Sequence, residues 1–159
     1  MEFRATFRTG RDKPEDTLRA AALIREVASR KRGEKHFFVQ VAGALALLDG
    51  CVIEMATGEG KTLTAVITAT IAGWRGRGCH VITVNDYLAR RDAEAMRVIY
   101  EFCGVTVASI HGDDEPPERR AAYHSDITYL TNKEVCADFL RDRISLGRLR
   151  DLLHADVTQ

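Results

Sequence analysis

The sequence predicts an α/β fold in which a parallel β-sheet is covered by helices on both faces. Two observations carry this prediction. Short apolar segments with strand character alternate with longer segments whose apolar residues recur at helical spacing. A glycine-rich loop of the phosphate-binding type, at residues 55–62, joins the first of these strands to a helix. Such alternation is typical of sheets whose parallel strands are linked by crossover helices.

The loop sequence is Met-Ala-Thr-Gly-Glu-Gly-Lys-Thr, and both of its flanks suit a P-loop. Val52 and Ile53 predict a short strand before it. A helix is predicted after it by apolar residues at helical spacing, namely Leu63, Val66, Ile67, Ile71 and Trp74. Met55 stands where the general pattern has glycine, so the loop is closer to the helicase-like form Thr-Gly-x-Gly-Lys-Thr. The alternative, an ordinary glycine-rich turn before an amphipathic helix, is disfavoured because both flanks fit.

The chemistry expected of this loop is nucleotide binding. Gly58 and Gly60 allow the backbone N–H groups to converge on an anion at the positive end of a helix. Lys61 is expected to reach the β- and γ-phosphates of ATP, and Thr62 to offer its hydroxyl to Mg²⁺. The sequence therefore predicts a P-loop NTPase with ATP and Mg²⁺ as cofactors, bound by Thr57, Gly58, Glu59, Gly60, Lys61 and Thr62.

Composition limits the class of protein. The 159 residues are 45% hydrophobic, which is enough for one domain with its own core. Lys plus Arg equals Asp plus Glu at 23 each, and this balance argues against a dedicated nucleic-acid binder. Neither a membrane-spanning run nor a secretory signal is expected from the sequence. Four widely spaced cysteines predict buried reduced thiols in a cytosolic protein, in preference to a metal site: Cys51, Cys79, Cys103 and Cys136.

Two helices are predicted before the loop. The first starts near Asp12, taken as its cap with Glu15 three residues later, and ends near residues 30–32 with Gly33 beyond. The second covers residues 36–50, where Phe37 and Gln40 lie three residues apart at its start. This pair has two interpretations: a ring and an amide that stack on and read a purine, or a core phenylalanine with a surface glutamine.

The remaining strands are predicted at residues 80–84, 105–110 and 126–130. Asn85 and Asp86 follow the first of these and begin a helix that ends near Gly104. Because ligands bind at the carboxyl ends of parallel strands, Arg90 and Arg91 either face phosphate there or are solvated on the first helical turn.

A polar loop with two prolines is predicted at residues 111–120. Its Asp113, Asp114 and Glu115 are rejected as Mg²⁺-linked carboxylates, because two residues separate them from the strand. A capping box at residues 131–134 opens another helix, and a final helical stretch is expected at residues 145–154. Neither an apolar strand ending in Asp-Glu nor an arginine placed for the γ-phosphate is recognised. Nucleotide binding can therefore be argued from this chain, whereas hydrolysis cannot.

The motifs together resemble the SecA family of bacterial preprotein translocase motors over about residues 2–145. The stretch from Thr83 to Glu94 alone separates this family from the nucleic-acid helicases that share its RecA-like motor fold. The residues that carry the resemblance are His36-Phe37-x-Val39-Gln40, Glu54-Met55-x-Thr57-Gly58-Glu59-Gly60-Lys61-Thr62-Leu63, Thr83-Val84-Asn85-Asp86-Tyr87-Leu88-Ala89, Arg91-Asp92-Ala93-Glu94, Asp126-Ile127-Thr128-Tyr129, Thr131-Asn132 and Phe139-Leu140-Arg141-Asp142.

The resemblance implies roles for three further residues: Gln40 reads adenine, Phe37 lies against the base and Arg91 contacts the nucleotide. It implies an ATPase that moves preproteins through the SecYEG channel, in the cytoplasm and peripherally at the inner membrane. Residues 1–34 would form an N-terminal helical arm, and residues 35–159 the Walker A half of a first nucleotide-binding domain. The expected Asp-Glu-Val-Asp strand is missing, so the fold is incomplete and the chain is expected to bind ATP without hydrolysing it.

Departures from the family pattern occur at Phe38, where an acidic residue is common, at Leu130, which replaces a glycine, and at residues 135–137. The last two lie near the second apolar face, so they put packing or partner contacts in doubt more than ATP binding. Two other functions remain to be weighed against a translocase motor. One is a nucleic-acid helicase fragment, against which the neutral charge argues, and the other is a nucleotide-binding module that acts alone.

Overall fold

The computed structural model describes the backbone of residues 2–155 and the side chains of residues 3–147. The second half of this part alternates strands and helices, as the sequence predicts. In chain order, the described elements are α1 (Glu2–Arg8), α2 (Pro14–Arg32), α3 (Phe38–Leu48), α4 (Lys61–Trp74), β1 (Cys79–Thr83), α5 (Asp86–Phe102), β2 (Val107–Ser109), α6 (Pro116–Tyr123), β3 (Ile127–Thr131) and α7 (Asn132–Ala155).

The three strands form one parallel sheet in the order β1-β3-β2. β3 lies in the centre, where Ile127 is opposite both Cys79 of β1 and Val107 of β2. All five residues of β3 are buried, as expected for a central parallel strand with both faces covered. Among residues 2–155, β1 has a strand on one side only, so its other edge is open.

Helices pack on both faces of the sheet, and alternate residues of β3 contact different helices. Ile127 and Tyr129 belong to the larger apolar cluster, which also contains residues of α1, α2, α4 and α5. Leu130 belongs to a smaller cluster with Ile110 and Ala122, against which α7 packs. The predicted class is confirmed: a parallel sheet covered by helices, incomplete in the number of its strands.

The N-terminal helices are part of this packing. Phe3 and Phe7 of α1 lie against Trp74 at the end of α4, with ring centroids 6.1 and 5.8 Å from the indole. The Trp74 indole N–H donates to the carbonyl oxygen of Cys103 at 2.9 Å. Arg4 forms an ion pair with Asp126 at 3.1 Å, beside β3. The division of the chain at residue 34 stays a prediction.

Local signals explain where α2 begins and ends, with one correction. The helix starts at Pro14, and the Asp16 carboxylate accepts the Lys13 backbone N–H at 2.9 Å. It ends before Gly33, whose φ of 71° is left-handed, as predicted. The predicted cap at Asp12 is wrong, because the first residue of the helix is Pro14 and Asp12 instead contacts Arg75 at 3.3 Å.

Three further predictions are corrected. The segment before the phosphate loop is not a strand, and Val52 is 99% exposed. The predicted polar loop at residues 111–120 contains the start of α6. The helices expected at residues 131–134 and 145–154 are one continuous helix, α7, with Thr131 Oγ1 accepting the Glu134 backbone N–H at 3.3 Å before its first turn.

The cysteines are free, but the prediction that all four are buried is wrong. Cys51 and Cys136 are exposed, and Cys79 and Cys103 are partly buried. Burial raises the pKa of the Cys103 thiol to about 11, so this thiol is unreactive at neutral pH. None of the helices described between residues 2 and 155 has the length and apolarity needed to cross a membrane.

Candidate functional site

The glycine-rich loop leads directly into the first residue of α4, which is Lys61. Gly58 and Gly60 have φ values of 88° and 80°, in the region that glycine adopts without steric cost. The loop lies at the N-terminus of a 14-residue helix, where the first backbone N–H groups have no partner within the helix. The loop therefore has the backbone shape and the helix dipole of an anion site.

In this structure the loop's polar groups bind one another. The Lys61 ammonium donates to the carbonyl oxygen of Ala56 at 2.8 Å. The Glu59 carboxylate accepts the backbone N–H of the same Ala56 at 3.1 Å. Both Lys61 and Thr57 have exposed side chains, so they are accessible to a ligand that approaches the loop. A phosphate bound by Lys61 would take over the hydrogen bond now made to Ala56.

Thr62 connects the loop to α5. Its hydroxyl donates to Asp92 Oδ2 at 3.4 Å. The other oxygen of this carboxylate, Oδ1, accepts two N–H groups from the Arg91 guanidinium at 2.9 and 2.7 Å. Arg91 also lies 6.0 Å from the ring of Tyr87. The structure thus brings together two predicted residues that are 29 positions apart, and the residue that joins them, Asp92, was not predicted as a site residue.

Gln40 lies against the loop and is only 5% exposed. Its side-chain oxygen accepts the backbone N–H of Phe37 at 2.9 Å, and its amide nitrogen donates to the Glu59 carbonyl oxygen at 2.8 Å. Phe37, at the position before α3, is 72% exposed. The alternative of a core phenylalanine and a surface glutamine is therefore wrong, since the burial of the two residues is the reverse. An exposed ring beside a glutamine that contacts the loop suits the nucleotide interpretation better.

His36 fixes the start of α3 against α4. It is fully buried, and its Nε2–H donates to the carbonyl oxygen of Leu63 at 2.8 Å in the first turn of α4. Nδ1 has no hydrogen-bond partner among the described residues. Burial lowers the pKa of His36, so the imidazole is neutral at pH 7. This residue was recognised in the sequence as part of a motif, but its packing role could not be deduced there.

Cavity size does not identify this site. A depression of about 200 Å³ beneath the loop is lined by Ile53, Met55 and Lys61. A larger groove of about 760 Å³ lies beside α6 and α7, where Tyr123 and Phe139 are among its lining residues. None of the residues predicted to bind nucleotide lines the larger groove. The site is identified instead by the convergence of anion-binding backbone, lysine, hydroxyl and arginine at one helix N-terminus.

The acidic run at residues 113–115 has other contacts. Asp114 accepts the His111 backbone N–H at 2.8 Å, and Glu115 occupies the cap position of α6, its N–H bonded to Glu118 at 3.0 Å. No group of three or more histidine, cysteine or acidic side chains within the described part of the chain is placed to hold a metal ion.

Comparison with known proteins agrees with the resemblance. The family model of the SecA DEAD-like domain matches residues 1–156. A protein translocase subunit SecA 2 from Chlorobium chlorochromatii is 49% identical over 152 residues, covering 95% of this chain. The SecA 2 subunit of Magnetococcus marinus is 48% identical over 91% of the chain, and the SecA subunit of Afipia carboxidovorans is 47% identical over 98%.

The chain spans about a fifth of the length of these relatives: 23% of the Chlorobium protein, 22% of the Magnetococcus protein and 16% of the Afipia protein. The match covers the N-terminal helices, the glycine-rich loop and the three-stranded sheet alike. The sheet with its surrounding helices is the RecA-like P-loop fold of that domain, in an incomplete form. By the family model and the identity of its relatives, this chain belongs to the SecA DEAD-like domain family.

Proposed function

We propose that this chain is the ATP-binding piece of a SecA-type motor and that it binds adenine nucleotides with Mg²⁺ at the loop before α4. One observation carries the proposal. Lys61, Thr62 and Arg91 converge with the backbone of Gly58 and Gly60 at the N-terminus of α4. This combination suits a polyphosphate that carries a divalent cation.

Each residue of the site has a part in this proposal. The backbone of residues 57–60 surrounds the β-phosphate, while Lys61 leaves the Ala56 carbonyl to neutralise the β- and γ-phosphates. Thr62 would supply a hydroxyl ligand to Mg²⁺, which would offset the negative charge of the phosphates. The exposed ring of Phe37 stacks on the adenine, Gln40 hydrogen-bonds it, and Arg91 contacts the phosphates from α5. Reading the base requires Gln40 to turn its amide partly away from the Glu59 carbonyl oxygen.

In this proposal, ATP hydrolysis requires a longer SecA-type protein that contains this chain. Among the described residues, β3 continues into Thr131 and the capped start of α7, without an Asp-Glu pair at its end. The chain alone therefore binds ATP without hydrolysing it, and Lys61 and Thr62 become catalytic only in the whole motor.

We divide the chain into a helical arm at residues 1–34 and a partial nucleotide-binding domain at residues 35–159.

The names of the relatives, which are protein translocase subunits, support a proposal for the function of a longer protein that contains this chain. We infer a motor that couples ATP hydrolysis to export of preproteins through the SecYEG channel, with no nucleic-acid partner. It would work in the cytoplasm and bind peripherally to the inner membrane. In a translocation assay, the longer protein carrying Lys61→Ala should not transport preprotein. Transport at the normal rate would contradict this part of the proposal.

The direct test is an equilibrium titration of the 159-residue chain with ADP and ATP, each with and without Mg²⁺. We expect dissociation constants between about ten micromolar and one millimolar, equivalent to roughly 4 to 7 kcal/mol. Lys61→Ala should abolish binding, and Gln40→Ala should remove the preference for adenine over guanine. The matched control is Lys35→Ala, at an exposed lysine outside the loop, which should bind as the wild type does. A folded wild-type chain that binds neither nucleotide would overturn the proposal.

A further inference from the structure

Asp92 is the residue that joins the two predicted phosphate-site groups, Thr62 and Arg91. Its side chain is 14% exposed, on the second turn of α5, where that helix faces the N-terminus of α4. The two carboxylate oxygens have separate tasks. Oδ1 accepts both N–H groups of Arg91, and Oδ2 accepts the Thr62 hydroxyl. One carboxylate thus contacts both neighbouring groups, closely at Arg91 and at 3.4 Å at Thr62.

The direction of the Thr62 hydroxyl matters for metal binding. A hydroxyl binds Mg²⁺ through an oxygen lone pair, so its proton has to point away from the cation toward an acceptor. Asp92 Oδ2 is the acceptor that the structure provides. The 3.4 Å separation is long for an O–H···O bond, and we expect it to shorten when a cation withdraws electron density from the hydroxyl oxygen.

The charge of Asp92 is also balanced. The Arg91 guanidinium lies 2.7 Å from Oδ1, so the mostly enclosed carboxylate has a cationic partner beside it. Asp92 belongs to no cluster of three or more possible metal ligands among residues 3–147. These contacts favour an indirect role, in which the carboxylate acts on the cation through Thr62.

We propose that Asp92 is a positioning residue of the nucleotide site, which orients the Thr62 hydroxyl toward Mg²⁺ while Arg91 balances its charge. The inference rests on the proposed function, because it requires the site to bind a magnesium nucleotide. A carboxylate that merely ties α4 to α5 would affect nucleotide affinity with and without Mg²⁺ to the same extent. A positioning carboxylate affects mainly the part of the affinity that Mg²⁺ adds.

The experiment measures ADP affinity of the 159-residue chain in Mg²⁺ and in a chelator, and compares the ratio of the two affinities between variants. Asp92→Asn has one acceptor oxygen in place of two, so it cannot serve both Thr62 and Arg91. We expect its ratio to fall about tenfold, as for the loss of a hydrogen bond to a charged group. Thr62→Val should lower the ratio similarly, and the double variant should fall no further, because both changes remove one interaction.

The matched control is Asp86→Asn on the same helix, where the carboxylate accepts the Gly112 N–H at 3.1 Å and does not contact Thr62. Its ratio should equal that of the wild type. Asp92→Ser, which removes the carboxylate without adding bulk, is measured beside Asp92→Asn in case the latter does not fold. A wild-type ratio in either folded variant, with ADP still bound, would overturn this inference alone. A wild-type chain that binds no nucleotide would overturn both this inference and the proposed function.

Discussion

At the scale of single residues, Gly60 is the position where backbone conformation and side-chain packing constrain the loop together. Its φ of 80° is left-handed, and a Cβ at this position would lie 2.4 Å from Gln40 Nε2. The Gln40 amide cannot simply move aside, because it is hydrogen-bonded to Phe37 and Glu59 in a buried position. Any side chain at residue 60 therefore disturbs both the loop and the start of α3.

We predict that Gly60→Ala weakens ADP binding at least tenfold and lowers the free energy of unfolding by more than the backbone term alone. The left-handed conformation costs a non-glycine residue roughly 1 to 2 kcal/mol, and the displaced Gln40 adds to this. Gly10→Ala is the matched control, with a φ of 65° and no atom within 4 Å of the added Cβ. It should show the backbone cost only, with unchanged ADP affinity. Equal effects of the two substitutions in denaturant melts and titrations would contradict the prediction.

The sequence predicted the type of loop and the helix that follows it, but it did not predict which residues of other elements contact the loop. The residue types at 58–62 favour a phosphate-binding turn before a helix. Gln40 and Asp92 depend on how α3 and α5 pack against α4, which is information spread over distant parts of the chain. Spacing alone therefore favoured a surface position for Gln40, and it left Asp92 unnoticed beside Arg91.

At the scale of elements, α6 and α7 are held together by one buried arginine. Arg119 of α6 is 6% exposed and contacts Asp138 and Glu134 of α7 at 2.7 and 2.6 Å. It also donates to the His111 carbonyl oxygen at 2.6 Å, and Tyr123 donates to the same Asp138 at 2.8 Å. These charge-assisted bonds join two helices on the second face of the sheet.

We predict that Arg119→Met lowers the free energy of unfolding by about 3 kcal/mol. The change removes the cation that pairs with Glu134 and leaves Asp138 only the exposed Arg141 as a cationic partner. The neighbouring Arg120→Met removes an exposed side chain and should change stability by less than about 0.5 kcal/mol. Urea melts of both variants at pH 7 measure the difference. Similar losses in the two variants would show that the buried network contributes no special stability.

The same network has a dependence on pH. Burial alone would raise the pKa of Asp138, but hydrogen bonds from Arg119 and Tyr123 hold it below the ordinary value of 3.8. A carboxyl whose pKa is lowered by folding stabilises the protein at pH values above its pKa in the unfolded state. This stabilisation is lost as the pH falls through its pKa in the folded state. The difference in the free energy of unfolding between Arg119→Met and the wild type should therefore be largest near neutral pH and should shrink below about pH 4.

Two element predictions failed for identifiable reasons. Pro116 and Pro117 favoured a loop, but proline is compatible with the first turn of a helix, and Glu115 with Glu118 supplies the cap of α6. Val52 and Ile53 favoured a strand, but a strand needs a hydrogen-bonded neighbour, and none of the described strands pairs with them. Helix signals are local, and they predicted α4, α5 and the C-terminal end of α2 correctly, whereas strand pairing is not local.

At the scale of the whole molecule, the described sheet ends in two edge strands, β1 and β2. β1 pairs with β3 on one side and has no strand on the other within residues 2–155. Two apolar side chains are exposed on β1 or directly after it, with Ile82 55% and Val84 83% exposed. The alternation of strands and helices predicted the class of fold, but only the order β1-β3-β2 shows that β1 and β2 lie at the edges.

An open, apolar strand edge is a template for pairing with another chain. We therefore predict that the isolated 159-residue chain associates as its concentration rises, and that Ile82→Lys keeps it monomeric, because a charge on an edge strand opposes pairing. Leu18→Lys on α2 is the matched control, since Leu18 is 56% exposed and far from β1 in the chain. Sedimentation velocity over a hundredfold range of concentration should show association for the wild type and for Leu18→Lys, but not for Ile82→Lys. If both lysine variants were monomeric, general surface charge and not the β1 edge would govern association, and a monomeric wild type would refute the prediction outright.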